Sequence, residues 1–194
     1  MPGSKRFESA CPGTAPLLKV LGLCGSLRQA SRSRVLLDAM RILSEGRLDV
    51  SIHKGLGDLP LFDPDREAMA PHSVLNFWEA IDACDVVVVA SPEYAHGVTG
   101  TIKNALDWLV GHAPFAHKPV AVFNPSHRAE HADLSLKEIL RIMDARLIVG
   151  ACLRIPATRF EGTGQEMSEH PDYAPLIRQA QEAIESGGDE KENP

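Results

Sequence analysis

Basic residues are in the minority in this chain. It carries 20 Lys and Arg against 26 Asp and Glu, a formal net charge of -6, with a pI near 5.7. That balance argues against a broad nucleic-acid-binding face, which needs clustered Lys and Arg. It leaves room for a small anionic ligand in a local pocket. Aromatic residues are scarce, at 5%. The four cysteines, Cys11, Cys24, Cys84 and Cys152, form no C-x-x-C pair and no zinc spacing. Cys24, Cys84 and Cys152 lie in or beside apolar runs, where a free thiol acts as a small core residue, and the pattern suits a reducing cytoplasm. No stretch approaches the roughly 20 apolar residues of a membrane span. Residues 1–16 lack an apolar h-region, so no signal peptide is expected. Neither G-x-G-x-x-G nor Gly-Lys-Ser/Thr occurs, which removes the dinucleotide fingerprint and the P-loop.

What is present fits one ordinary domain. The 194 residues are 44% hydrophobic and 24% charged, enough to bury a sizeable core without disulfides or metals. Residues 1–16, rich in Pro, Gly, Ser and Ala, are expected to form a flexible leader, and 187–194 a disordered tail. Between them, strand and helix patterns alternate. Near-continuous apolar runs at 17–24 and 85–90 read as buried strands, with shorter strands at 48–53, 119–123 and 146–152. Helical spacing appears at 31–43, 73–83, 100–110, 134–144 and 172–186, and 55–64 reads as loop. Such alternation predicts a doubly wound α/β fold, a parallel sheet with helices on both faces. Ligands of such sheets bind at the carboxyl ends of the strands, which directs attention to the loops 25–33, 91–100 and 124–131.

The first loop, Gly25-Ser26-Leu27-Arg28-Gln29-Ala30-Ser31-Arg32-Ser33, links a strand to a helix N-terminus. Free N–H groups, the hydroxyls of Ser26, Ser31 and Ser33, and the Arg28 guanidinium suit a phosphate. An ordinary serine-capped helix with a solvated arginine accounts for the same residues taken alone. Arg28, Arg32 and Arg34 add local positive charge that would also favour a 2′-phosphate, though solvated arginines are the simpler reading of Arg32 and Arg34. The second loop runs Ser91-Pro92-Glu93-Tyr94-Ala95-His96-Gly97-Val98-Thr99-Gly100. Its two glycines and proline let backbone approach a flat ligand, and Tyr94 offers an aromatic face. An ordinary turn is the alternative, and His96 alone carries little weight. The third loop contributes Ser126, His127, Arg128 and His131. His127 and His131 have i,i+4 spacing but no evident thiolate or carboxylate partner, so no metal is expected.

Gly25-Ser26-Leu27-Arg28-x-x-Ser31, followed by Pro92-Glu93-Tyr94-x-x-Gly97-x-x-Gly100-x-x-Lys103-Asn104-Ala105-x-Asp107-Trp108, closely resembles the NADPH-dependent FMN reductase family, which includes quinone, chromate and azo-dye reductases. The resemblance covers roughly residues 17–155. It implies a flavodoxin-like five-stranded parallel sheet of order 2-1-3-4-5 spanning 17–186, with one FMN per subunit. By position, Ser26, Arg28, Ser31 and Ser33 would surround the phosphate. Pro92, Glu93 and Tyr94 would meet the isoalloxazine, Gly97 would close the loop, and Ser126 would sit beside the ring. No side chain is expected to act as acid or base, because the cofactor carries the chemistry. The family commonly forms homodimers or homotetramers. Three positions depart from its usual pattern: Ser33 and Ala95 stand where Asn is usual, and Thr99 where Pro is usual.

The function implied is hydride transfer from NADPH or NADH through FMN to a small acceptor: a quinone, azo dye, metal oxyanion or free flavin. The rival is a flavodoxin-type electron carrier without its own NAD(P)H site. Flavodoxins stack aromatics on both ring faces, and this chain offers only Tyr94 there. A third reading is a family member that has lost its flavin and serves in regulation.

Overall fold

The computed structural model describes residues 16–187. The predicted leader and tail therefore lie outside the described residues, apart from Pro16 and Gly187. Strand β1 (Leu18–Cys24) leads through the first loop into α1 (Arg32–Leu43) and β2 (Leu48–Ile52). Two 3-10 turns follow: Leu56–Asp58, inside the 55–64 stretch that the sequence predicts as loop, and Pro64–Met69, which starts where that stretch ends. Then come α2 (His72–Ala83), β3 (Val86–Ala90), a short hairpin of β4 (Glu93–Tyr94) and β5 (Gly97–Val98), and α3 (Gly100–Asp107). The chain ends with β6 (Pro119–Asn124), α4 (Glu130–Ile142), β7 (Arg146–Leu147), β8 (Leu153–Arg154), α5 (Gly164–Glu169) and α6 (Ala174–Glu185).

The sheet order is β2-β1-β3-β6-β7, with β8 also pairing β6, and all these pairs are parallel. This is the expected 2-1-3-4-5 order, with the fifth strand in two pieces. The register explains the break. Pro119 pairs Arg146, an offset of 27, whereas Phe123 pairs Leu153, an offset of 30. Three extra residues must leave the ladder, and the 3-10 turn Val149–Ala151 takes them up. The apolar run across 146–152 hides this, because hydrophobicity is blind to register.

Alternate residues of the central strands serve opposite faces, as strand pleating requires. Val87, Val89 and Val122 pack with Phe77, Ile81, Ile102, Trp108 and Leu136 from α2, α3, its C-terminal end and α4. Val86, Val88 and Phe123 pack with Leu36, Met40, Met167, Ile177 and Ile184 from α1, α5 and α6. The predicted helices are present, with shifted ends. α4 starts four residues before its predicted position, and α5 is additional. A capping box starts α5: Thr163 Oγ1 accepts from the Glu166 amide, and the Glu166 carboxylate accepts from the Thr163 amide. The Thr-x-x-Glu spacing that signals it stands in the sequence.

The three thiols of the described residues are free. Burial raises the pKa of Cys24 and Cys152, and pushes the Cys84 thiol up to about 11 from an ordinary 9.0. These thiols stay protonated, and poorly nucleophilic, at neutral pH. The folded state thus holds the Cys84 proton more tightly than the unfolded chain. Its contribution to stability is whole below pH 9.0 and is lost as pH rises through about 11. Melting curves from pH 8 to 11 should fall less steeply for Cys84→Ala than for the native chain.

Candidate functional site

The order of strands reverses between β1 and β3, so their C-terminal ends open the crevice where ligands of such sheets bind. The two ends are joined directly: the Gly25 amide donates to the Ala90 carbonyl at 2.8 Å. Gly25 is required by close approach. A Cβ there would lie 2.5 Å from Ser91 Oγ and 2.7 Å from Ile102 Cγ1. This contact sets the first and second loops side by side. Beyond it, Ser26 Oγ and Tyr94 Oη lie 3.5 Å apart.

A cleft of about 320 Å³ opens over these strand ends. The first loop contributes Ser26, Arg28, Ser31 and Ser33, the second Pro92, Glu93 and Tyr94, and the third Ser126. The structure thus brings together every predicted site residue except Gly97. That glycine pairs with Tyr94 across the β4–β5 hairpin and is not part of the lining. A Cβ at Gly97 or Gly100 would meet no close neighbour, so the protein's own packing does not demand glycine at either position. The cleft also includes Arg32, Arg128 and Thr158. Arg32 and Arg128 stand in the flagged loops. Thr158 comes from the segment after β8, which carries no polar motif that sequence reading could flag.

The floor of the first loop is polar and unsatisfied. Ser31 occupies the N-cap position of α1, but its side chain makes no capping hydrogen bond, and the first turn of α1 holds no acidic residue. The expected serine cap is therefore absent, and the first-turn N–H groups keep their capacity for an external acceptor. Ser33 is 1% exposed. Its Oγ and the Arg32 Nε are buried without a hydrogen-bond partner among the described residues. Buried polar atoms without partners are rare and costly. A donor-lined helix N-terminus with flanking guanidinium groups is what a phosphate monoester requires. The residues present therefore fit a phosphate-bearing cofactor.

The ring side of the cleft is built differently. The two-residue turn Ala95–His96 joins β4 to β5, with φ of 48° at Ala95 and 59° at His96. Such a turn needs positive φ at both central residues, which Gly or Asn adopts most readily. Here neither is Gly or Asn, and the glycines lie outside the turn. Ala95→Asn should relieve about 0.5–1 kcal/mol of backbone strain, raising the melting midpoint by about 1–4 °C in a thermal scan. Glu93 is a staple. One carboxylate oxygen accepts from the Ala132 amide at 2.8 Å, in the first turn of α4, and the other lies 3.3 Å from His96 Nδ1. A carboxylate from another loop thus caps α4, whose own N-cap residue is Ala129, and the second and third loops move as one. The carboxylate is committed there; the backbone of Glu93 remains for a ligand. Tyr94, 57% exposed, presents its ring to the cleft mouth. In the third loop Asn124 Oδ1 accepts from the Ser126 amide at 3.0 Å, while its Nδ2 donates to the Ala129 carbonyl at 2.9 Å. His131 falls in the first turn of α4 and packs edge-on against His96, ring centroids 4.6 Å apart. Among the described residues no group of three His, Cys, Asp or Glu side chains is placed to hold a metal.

Known proteins resemble this chain in sequence and in fold. The sequence profile of the NADPH-dependent FMN reductases matches residues 18–158. A quinone reductase of Escherichia coli (strain K12) is 32% identical over 138 residues, 68% of this chain and 73% of that protein. The solved structure of FerB, a flavoenzyme NAD(P)H:(acceptor) oxidoreductase from Paracoccus denitrificans, matches with a TM-score of 0.71 and 28% identity, covering 88% of this chain and 96% of its own. A flavodoxin variant from Pseudomonas aeruginosa matches at TM-score 0.54 and 16% identity over 86% of this chain and 99% of its own, a likeness of fold. The chain belongs to the NADPH-dependent FMN reductase family.

Proposed function

We propose that the cleft holds FMN, and that the protein is an NAD(P)H oxidoreductase whose acceptor is a small flat molecule such as a quinone. The observation that carries this reading is the pair of unpartnered buried groups, Ser33 Oγ and Arg32 Nε, at the N-terminus of α1. Ser26, Arg28, Ser31 and Ser33 would hold the phosphate. Pro92, the Glu93 backbone and Tyr94 would line one edge of the ring, with Ser126 beside it. Gly97 supports the hairpin from outside the cleft. When bound, FMN supplies two-electron chemistry, taking hydride from NADPH or NADH and passing it to the acceptor. The chain's own residues bind and orient. The Glu93 staple fixes the second loop against α4, and Asn124 fixes the third, so that both ring-facing loops are preorganised. The open cleft mouth, with Tyr94 as its one aromatic among the described residues, leaves a ring face for a second flat molecule, which favours an enzyme over an electron carrier.

Self-association is part of this reading. Leu61, Met69, Leu75 and Val110 remain exposed, and a contact between copies over them would take that apolar surface out of water. Much of the apolar content of 76–81 and 104–110 is taken by the chain's own core, where Phe77, Ile81, Trp108 and Leu109 are buried. A homodimer or homotetramer would cover the rest, and sedimentation showing only monomer would remove that element. The free thiols of the described residues, Cys84 buried and Cys24 and Cys152 half-buried, suit a cytoplasmic protein; among the described residues no helix is long and apolar enough to cross a membrane. The cofactor assignment is tested by releasing and identifying the flavin of the purified protein, then titrating the stripped chain with FMN and with riboflavin. Tight FMN and weak riboflavin binding are expected. A colourless chain that takes up neither would favour a flavin-free regulatory role.

A further inference from the structure

Among the described residues, three arginines line the cleft: Arg28, Arg32 and Arg128. The one carboxylate in that lining belongs to Glu93, and it is committed to the Ala132 amide and to His96. Within the described chain none of the three arginines has a carboxylate at salt-bridge distance. The cleft therefore holds more positive charge than its own acids balance.

The phosphate end does not need all of it. A phosphate monoester carries a charge of about −1.5 to −2 at pH 7. Arg28 and Arg32 both stand in the first loop, and the N-terminus of α1 adds about +0.5 there. That end is neutralised without Arg128. Arg128 belongs to the third loop, beside Ser126 and Pro125 in the lining. Its backbone is held firmly. The Arg128 amide donates to Ser126 Oγ at 3.2 Å, and the carbonyl of the next residue, Ala129, accepts from Asn124 Nδ2 at 2.9 Å. Asn124 is 2% exposed and Ala129 4% exposed. The surplus cation is thus carried on a fixed base at the ring end of the cleft.

We propose that Arg128 is the electrostatic partner of the reduced flavin ring and raises the midpoint potential of the bound cofactor. The proposal rests on the reading of this cleft as an FMN site. Hydride brings two electrons and one proton, so the neutral oxidised ring gains one negative charge while the nicotinamide becomes positive. A cation held beside the ring favours the charged, reduced form over the neutral, oxidised one. The two electrons and the proton then pass to the quinone, which takes its second proton from water, and the ring is neutral again. Arg128 so differs in kind from Arg28: it shifts the balance between redox forms, whereas Arg28 holds the phosphate that both forms share.

The test is an anaerobic redox titration of the FMN-loaded protein against a dye of known potential, with FMN affinity measured alongside. Arg128 is exposed, so its replacement leaves the fold intact. Arg128→Ala should lower the midpoint by about 30 mV or more, which is a tenfold loss of preference for reduced over oxidised flavin in a two-electron couple. Its affinity for oxidised FMN should stay close to native. Arg128→Lys, which keeps the charge, should restore most of the midpoint. Arg28→Ala should do the opposite, weakening both redox forms alike and leaving the midpoint near native. A midpoint unmoved in Arg128→Ala, or one that falls as far in Arg128→Lys, overturns this inference while the FMN reading stands. So does a tenfold loss of oxidised FMN affinity with no change in midpoint, which would make Arg128 a phosphate ligand. A chain that takes up no FMN removes both.

Discussion

Replacing Ser33 by alanine should make the flavin-free protein more stable and its FMN complex weaker. The two signs follow from one atom. Ser33 Oγ is buried with no hydrogen-bond partner among the described residues, and a buried, unsatisfied hydroxyl costs about 1–3 kcal/mol. Alanine removes that cost in the stripped chain, so its melting midpoint should rise by several degrees. With FMN present, alanine removes a donor to a charged phosphate, worth about 1.5–3 kcal/mol. FMN affinity should then fall by about 10- to 100-fold. Arg28→Ala should weaken FMN by a similar factor without stabilising the stripped chain, because Arg28 is exposed and leaves no buried orphan. Riboflavin affinity should change little in either variant, since it has no phosphate. A Ser33→Ala protein that binds FMN as tightly as the native chain would place the phosphate elsewhere.

Gly25→Val should abolish FMN binding and lower stability together. Even a single Cβ would stand 2.5 Å from Ser91 Oγ, 2.8 Å from Ser91 Cβ and 2.7 Å from Ile102 Cγ1, well inside van der Waals contact. Ser91 is 6% exposed and Ile102 fully buried, so neither has room to retreat. Overpacking of this kind costs about 1–3 kcal/mol, or up to about 10 °C in melting midpoint for a domain of this size. The chain must relax by parting the ends of β1 and β3, which lengthens the Gly25–Ala90 hydrogen bond and separates the phosphate loop from the ring-facing loop. Gly97→Ala is the internal control. Its Cβ would meet only the Tyr94 carbonyl oxygen, at 3.6 Å, so stability and FMN content should be close to native. Measured flavin occupancy and thermal midpoints of the two variants would separate a glycine that packing demands from one that it does not.

The contrast between these glycines shows what the sequence could convey. The strand–helix alternation was legible because strands buried on both faces are apolar throughout, as in Val86–Ala90, and helices repeat every three to four residues. The three ligand-facing loops followed from topology. Features that depend on distant residues were not legible. The cap of α4 is a carboxylate 37 residues upstream of Glu130, so local patterns place the helix start too late. The strand after α4 breaks because of its register against β6, which apolar content does not encode. The hairpin turn falls on Ala95–His96, where neither residue signals positive φ. α5 is a different case: its Thr163–Glu166 capping box is a local signal that the periodicity of a six-residue helix is too short to reinforce. At the site itself, Thr158 becomes visible only once the segment after β8 is placed beside the first loop.

We propose that this chain holds FMN in a cleft whose ring face a nicotinamide can reach. Rapid anaerobic mixing of the FMN-loaded protein with NADPH, followed by a quinone, tests it most directly. Flavin absorbance should fall promptly on mixing and return when the quinone is added. A protein that binds FMN but keeps it oxidised with both NADPH and NADH would contradict the account and identify an electron carrier.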